Sequence, residues 1–396
     1  LMGRIPIGRA GTVDWKEISR KTRALLDRVG LDLDPRLPAG RLSVAEQQAL
    51  EVARALSSDS QLVIMDEPTA SLTAREIEKL FAIIRSLRVE GRSVLYVSHH
   101  LDEIFDIADT VTVMRDGAIV CTDRVSTLDK QQLMVLMFGQ NLRQLETEAA
   151  SHQTKARGDV LELRHVALPP NLKDVSLTFH AGELTCIVGG IGSGRGELAR
   201  CLAGAERPAR GTVRLLDGGV IRSPRSALVR GMGFIPSDRK REGLLLELDI
   251  VENIALSRLA LDRSALVFPR KRRHAALRLA ERFRVRFVDS HRPVRNLSGG
   301  NQQKVMIARL IGAGARILVF DEPTAGVDVV TRLEIYEMLR KLVDEGASVV
   351  AFSSDYEEVK LIADRVIVLN HGVIAGELRP PDIASERLLA LEIGDE

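Results

Sequence analysis

The feature that most constrains the fold is a segment that occurs twice. Leu297–Val327 reads LSGGNQQKVMIARLIGAGARILVFDEPTAGV, and Leu42–Leu72 reads LSVAEQQALEVARALSSDSQLVIMDEPTASL, aligned without a gap at an offset of 255 residues. Leu-Ser, Gln-Gln, Ala-Arg and Asp-Glu-Pro-Thr-Ala all keep their register. Solenoid units are far shorter than this offset, so the repeat means two copies of one whole domain. A turn at Ser298, Gly299 and Gly300 feeds a helix-period segment (Val305, Ile307, Ala308, Leu310, Ile311). A Gly-rich turn at a helix N-terminus offers backbone N–H groups and a positive dipole end to a phosphate. The apolar run Ile317–Phe320 predicts a buried strand tipped by Asp321 and Glu322. One such carboxylate suits Mg²⁺ and the second suits activation of water. Leu62–Met65 with Asp66 and Glu67 repeats that arrangement.

LSGGNQQ followed by DEPT resembles the signature and Walker B motifs of ABC-type ATPases. The resemblance covers nearly the whole chain and implies an α/β fold. It implies two tandem P-loop ABC-ATPase domains, each a RecA-like mixed sheet flanked by helices plus a helical subdomain. Composition agrees, since 396 residues make two or three domains and a hydrophobic fraction of 45% is ample for buried cores. A net charge of +2 points neither to nucleic acid nor to acidic substrates. Cys121, Cys186 and Cys201 form no metal-type pair and no even disulfide set, which suits a reducing compartment. No run approaches the ~18 apolar residues of a membrane-spanning helix.

The polar stretch TEAASHQTKARG predicts a linker over residues 147–158, between a first domain at 1–146 and a second at 159–396. The second copy begins near Val160, so at the same offset its counterpart begins roughly 95 residues before Leu1. The first domain is therefore expected to lack its N-terminal half. The Leu-Met opening shows no signal-peptide pattern and fits a fragment.

Within the first copy, Val13–Val29 predicts an amphipathic helix led by Asp14 and Trp15, with Trp15 expected to pack. Ala74–Leu87 has helical spacing, and the apolar strand Ser93–Val97 leads into Ser98-His99-His100. A histidine at the end of a parallel strand, beside a carboxylate strand, is well placed to touch a phosphate. A lone histidine is more often structural, and His100 keeps that reading. The position of His99 resembles that of the ABC switch histidine, which implies a functional role for it.

In the second copy Leu172–Phe179 alternates as a strand does. Leu184–Val188 reads as a buried strand running into Gly189-Gly190-Ile191-Gly192-Ser193-Gly194-Arg195-Gly196. The phosphate-loop pattern is G-x-x-x-x-G-K-[ST], in which Lys reaches the phosphates and the hydroxyl binds Mg²⁺. Gly189 and Gly194 keep the backbone pattern. Arg195 retains the charge of Lys with a different geometry, and Gly196 has no hydroxyl. Phe234–Asn253 resembles the corresponding segment of fused sugar-importer ATPases at Asp238, Arg239 and Lys240. Ser237 stands where those proteins carry an acidic or amide residue. The basic run Arg270, Lys271, Arg272 and Arg273 reads first as a solvated helix face, then as a contact for anionic lipid. Nucleic acid ranks last, because no aromatics interleave it. Val349–Ser354 matches Val94–His99, with Ser354 at the place of His99.

In ABC dimers each ATP lies between the Walker motifs of one half and the signature of the other. The resemblance then implies intrachain pairing of the two domains. Ser298, Gly299, Gly300, Asn301 and Gln302 would serve the first domain's nucleotide. There Asp66 holds Mg²⁺ through water, Glu67 is the general base and His99 touches the γ-phosphate. The matching phosphate loop is expected upstream of Leu1. The other site pairs Gly189–Gly196, Asp321 (Mg²⁺ through water) and Glu322 with Ser43-Val44-Ala45, and Asp328 lies in the loop that couples the halves. It lacks the switch histidine, the loop hydroxyl and the Gly-Gly turn, and is expected to hydrolyse poorly.

These readings converge on a fused two-domain ATP-hydrolysing subunit of a carbohydrate importer of the ribose/xylose/galactose type. ATP and Mg²⁺ are its cofactors. Its implied partners are membrane permease subunits and, indirectly, an extracytoplasmic sugar-binding protein, with no nucleic acid. Its implied place is the cytoplasmic face of the membrane. Two alternatives stay open: a nucleoside importer ATPase, and a non-catalytic remnant. A soluble ABC protein acting on ribosomes or DNA predicts long charged linkers, zinc cysteines or coiled-coil insertions, none of which the sequence shows.

Overall fold

A computed structural model describes residues 5–7, 11–31, 33–42, 44–57, 60–69, 72, 74–98, 100–115, 117–138, 158–190, 192–262 and 269–394. The chain divides into two compact units, Leu1–Met137 and Phe138–Glu396. The proposed linker, apart from Gly158, lies outside the described residues, as do Ser43, His99 and Ile191.

The first unit begins with helix α1 (Trp15–Arg28), whose N-cap Asp14 accepts a hydrogen bond from the Glu17 amide. Helix α2 (Val44–Leu56), strand β1 (Leu62–Asp66), helix α3 (Ala74–Val89) and strand β2 (Ser93–Val97) follow. β1 and β2 pair in parallel, from Leu62 opposite Ser93 to Asp66 opposite Val97. Helix α4 (Leu101–Ile107), the antiparallel hairpin of β3 (Thr110–Arg115) and β4 (Ala118–Arg124), and helix α5 (Lys130–Phe138) complete it. The core of α1–α3 and β1 gathers Val29, Val52, Leu56, Val63, Met65 and Leu80.

Two expectations fail here. Trp15 does not pack; it is 72% exposed. α1 is anchored through Leu26 and Val29 at its other end, about 16 Å along the helix from Trp15. β1 is not a strand buried on both faces. Val63 and Met65 are covered, but Leu62 and Ile64 on the opposite face are exposed. An apolar run shows that burial on both faces is possible, and the cover must come from other elements.

In the second unit, β5 (Asp159–Leu168), β6 (Leu172–His180) and β8 (Arg210–Leu215) form an antiparallel sheet in the order β6-β5-β8. The central sheet has the order β13-β12-β7-β11-β10-β9, with β7 (Leu184–Val188), β9 (Met232–Ile235), β10 (Ile317–Asp321), β11 (Ser348–Phe352), β12 (Arg365–Asn370) and β13 (Val373–Leu378). Its neighbours are parallel except for the antiparallel edge strand β13. β11 ends at Phe352, two residues short of the expected Ser354.

One face of this sheet packs on helix α6 (Arg195–Leu202) and the antiparallel sheet, through Leu198, Leu202, Val319, Val350 and Phe352. The other face packs on a helical layer: α7 (Pro224–Val229), α8 (Ile250–Leu261), α9 (Pro269–Arg282), α10 (Gly299–Gly312), α11 (Val329–Asp344), α12 (Tyr356–Ile362) and α13 (Ser385–Ile393). The α8–α10 part is tied by buried Arg309, which donates to the Asn253 carbonyl and side chain and to the Gly243 carbonyl. This is an α/β sheet with a helical subdomain, as the motifs implied. Among the described residues no helix is long and apolar enough to cross a membrane.

Candidate functional site

The phosphate loop joins β7 to α6. Every residue of β7 is buried, so the loop leaves from the middle of the sheet at a fixed place. Gly192 and Gly194 take φ of 82° and 89°, conformations that cost L side chains energy. A Cβ on Gly194 would meet the Asn171 carbonyl oxygen at 2.8 Å, and one on Gly189 would meet Ser193 Oγ at 2.6 Å. Close packing thus leaves no room for a side chain at Gly189 or Gly194. The loop ends at the N-terminus of α6, where Arg195 sits.

Arg195 Nη2 donates to Glu322 Oε1 at 2.5 Å, and its buried Nη1 has no hydrogen-bond partner among the described residues. Glu322 follows β10 with φ 54°, in the left-handed region, and Glu67 follows β1 with φ 44°. Strain of about 1–3 kcal/mol persists only where the surroundings hold it, and such positions cluster at functional sites. In both units the strained amide donates across to the neighbouring strand, Glu67 to the Val97 carbonyl and Glu322 to the Phe352 carbonyl, each at 2.8 Å. Burial raises the Glu322 carboxyl above the usual range, against the lowering effect of Arg195 and of the Ser354 amide, which donates to Glu322 Oε2 at 3.2 Å. Asp321 Oδ2 accepts from Ser237 Oγ at 2.9 Å, so the serine touches the carboxylate that the resemblance pairs with Mg²⁺.

The residues of the signature turn are bound largely into their own unit. Ser298 is the N-cap of α10, and its hydroxyl accepts from Asn301 Nδ2. Asn301 Oδ1 accepts the Arg286 amide, and buried Gln302 donates to the Val294 carbonyl. A Cβ on Gly299 would lie 2.4 Å from the Gly326 carbonyl oxygen, and one on Gly300 2.1 Å from Thr331 Cγ2. Gly299 is thus demanded by close packing against the loop that leads into α11, and Gly300 by packing against the first turn of that helix. Asp328 caps that helix, accepting from the Thr331 amide at 3.0 Å. Arg239 holds the same loop by donating to the Ala325 and Gly326 carbonyls. Sequence reasoning noted Arg239 only as a matching residue.

In the first unit, Asp66 at the tip of β1 and Glu67 just beyond it are both exposed. Val44 and Ala45 open α2. A residue that sequence reasoning missed is Glu103, with its repeat counterpart Glu358. Each is nearly buried in the first turn of a short helix, at 7% and 2% exposure. Glu358 Oε1 accepts from Thr324 Oγ1 at 2.9 Å, and its other oxygen accepts from Ser353 Oγ. The signal was the shared offset of the two glutamates, which is weak for an acid in the first turn of a helix.

An open glycine cradle, a helix N-terminus and an unpartnered guanidinium N–H fit a phosphate group. The same residues fit Mg²⁺ less well. Gly196 offers no oxygen ligand, Glu322 is engaged by Arg195, and among the described residues no cluster of three His, Cys, Asp or Glu could hold a metal.

The family described as ABC transporter matches residues 7–70 and 172–325. The ribose import ATP-binding protein RbsA 3 of Rubrobacter xylanophilus is 42% identical over 394 residues, covering 99% of this chain and 79% of its own length. The ribose import ATP-binding protein RbsA of Corynebacterium glutamicum is 37% identical over 398 residues, covering 99% and 74%. That of Bacillus licheniformis is 37% identical over 396 residues, covering 99% and 80%. These matches span nearly all of this chain and 74–80% of the relatives' own lengths. The crystal structure of a nucleotide-free ATP-binding cassette from an ABC transporter is 20% identical, with a TM-score of 0.51 over 59% of this chain and 96% of that one. That last likeness is one of fold.

Proposed function

This chain belongs to the ABC transporter family, and from that premise we propose that it is the ATP-hydrolysing subunit of an importer that takes up a monosaccharide. ATP hydrolysis is the activity of the family. The observation that carries the reading is the meeting of the glycine cradle with a strained glutamate through Arg195. The ribose import proteins among its relatives support a sugar as cargo. In our reading the first unit hydrolyses. Glu67 takes the proton of the attacking water, Asp66 holds Mg²⁺ through water and His99 touches the γ-phosphate. Mg²⁺ supplies charge neutralisation at the phosphates when it is bound. In the second unit the loop 189–196 binds the phosphates, with Arg195 as counter-charge. The absent loop hydroxyl, the serine at Ser354 and the engaged Glu322 leave that site poor in hydrolysis. We assign residues 1–146 and 159–396 to the two domains and 147–158 to the linker. The partners are membrane permease subunits, and the protein works on the cytoplasmic face of the membrane.

The test is uptake of labelled ribose, xylose and galactose by cells lacking this protein. Uptake of at least one sugar falls to background, returns with the native protein, and does not return with Glu67→Gln. Unchanged uptake of all three overturns the reading.

A further inference from the structure

Glu103 and Glu358 occupy one repeat position, and the structure around them repeats more closely than the sequence does. In the first unit, Glu103 Oε2 accepts from Ser98 Oγ at 2.7 Å, and Ser98 Oγ accepts the His100 amide at 3.0 Å. In the second, Glu358 accepts from Ser353 Oγ, and Ser353 Oγ accepts the Asp355 amide at 3.1 Å. A buried carboxylate thus grips, through one hydroxyl, the residues on both sides of a single position: 99 in one unit, 354 in the other. In sequence the residue between the two gripped positions is His in the first copy and Ser in the second, while the grip on its neighbours is unchanged. In the second unit the bracketed residue meets the strand-end acid, since the Ser354 amide donates to Glu322 Oε2. Glu358 also holds Thr324, two residues beyond that acid, so one side chain grips both loops that meet there.

We propose that Glu103 and Glu358 are positioning residues that fix the strand-end loop against the glutamate of its own unit, Glu67 or Glu322. Neither touches the reacting atoms. Each acts through a serine, and a displaced loop would leave nucleotide affinity intact while shifting the strand-end glutamate that the loop abuts for the chemical step. Reactions that depend on near-attack geometry lose rate steeply with such displacements. Buried carboxylates accepting two hydroxyl protons hold their partners more firmly than neutral acceptors do. The inference rests on the reading of Glu67 as general base.

Steady-state ATP turnover of the native full-length protein tests it. Glu103→Gln lowers kcat tenfold or more with KM for ATP within twofold. Ser98→Ala does the same, and the double variant loses no more than either single one, because the two act as a unit. Tyr96→Phe removes the other hydroxyl on Glu103, at 2.8 Å, without touching the bracket, and keeps kcat within twofold. If Glu103→Gln does not fold, Ser98→Ala and Tyr96→Phe decide the matter. An intact kcat in Ser98→Ala, equal losses in Ser98→Ala and Tyr96→Phe, or a KM that rises as kcat falls overturns the inference, provided Glu67→Gln is dead. Full turnover in Glu67→Gln instead overturns the reading of the first unit, and the inference with it.

Discussion

Strands β1 and β10 are copies of one another, yet they live in different surroundings. Ile64 is 63% exposed and its counterpart Val319 is fully buried; Val97 is 45% exposed and its counterpart Phe352 fully buried. In the second unit, α6 and the antiparallel sheet of β5, β6 and β8 cover that face. Residues 5–137 contain no described counterpart of those elements. Despite this, the strained glutamate, its amide bond to the next strand and the bracket built on Glu103 or Glu358 are the same in both units. Local geometry at the acid therefore depends on the strand pair and the loop beyond it. Stability of the sheet depends on the layer laid over it.

The sharpest way to break the comparison is chemical. If the units divide the labour as proposed, Glu67→Gln costs the native protein at least a hundredfold more ATP turnover than Glu322→Gln does. Equal losses in steady-state assays would make the two sites equivalent. Next comes the covering layer. Fully burying one large apolar side chain is worth about 1.5–3 kcal/mol, and Leu62, Ile64, Leu95 and Val97 all lack that cover. Amides of β1 and β2 then exchange with solvent about a hundredfold faster than those of β10 and β11, a gap of about 3 kcal/mol in opening free energy. Similar protection by mass spectrometry would show that the layer contributes little.

A smaller effect concerns the bracket of the second unit. Burial pushes the Glu358 carboxyl from 4.5 up to about 7, with neighbouring acids adding to the rise and the Ser353 and Thr324 hydroxyls opposing it. The folded chain holds this proton more tightly than the unfolded chain. Its stabilising contribution is thus full below about pH 4.5 and lost as pH rises through 7. Glu358→Gln keeps the shape without the titration. Its denaturation free energy should fall less between pH 5 and 7.5 than that of the native protein, by an amount on the order of 1–3 kcal/mol. Parallel pH profiles would sink this. The smallest effect separates the ends of α1. Trp15→Ala should change stability by about 0.5 kcal/mol or less, whereas Leu26→Ala, at a site 3% exposed, should cost about 2–5 kcal/mol.

Most of the fold was legible because repeats and periodicities are local. Asp14 announced α1, Leu184–Val188 announced a buried strand, and the glycines from 189 to 196 announced a turn in which Gly189 and Gly194 leave no room for a side chain. Trp15 and Ile64 were misread for one reason. Apolar character says that a side chain gains from cover, and tertiary structure decides whether cover is present. Glu358 and Arg239 were hidden differently. An acid in the first turn of a helix and an arginine in a loop are ordinary surface residues until the chain folds them inward. The strain at Glu67 and Glu322 was likewise invisible, because φ is imposed by the strands on either side and leaves no mark on residue type.

The chain has a single tryptophan, and it stands exposed at the start of α1. Its ultraviolet emission is therefore a beacon for the first unit alone. A water-bathed indole emits at long wavelength and is open to iodide quenching, so anything that settles over that end of α1 would shift its colour and shield it. The described aromatic residues of the second unit are Phe and Tyr, so that unit contributes no indole of its own to that signal. One optical channel thus has its source in one half of the molecule.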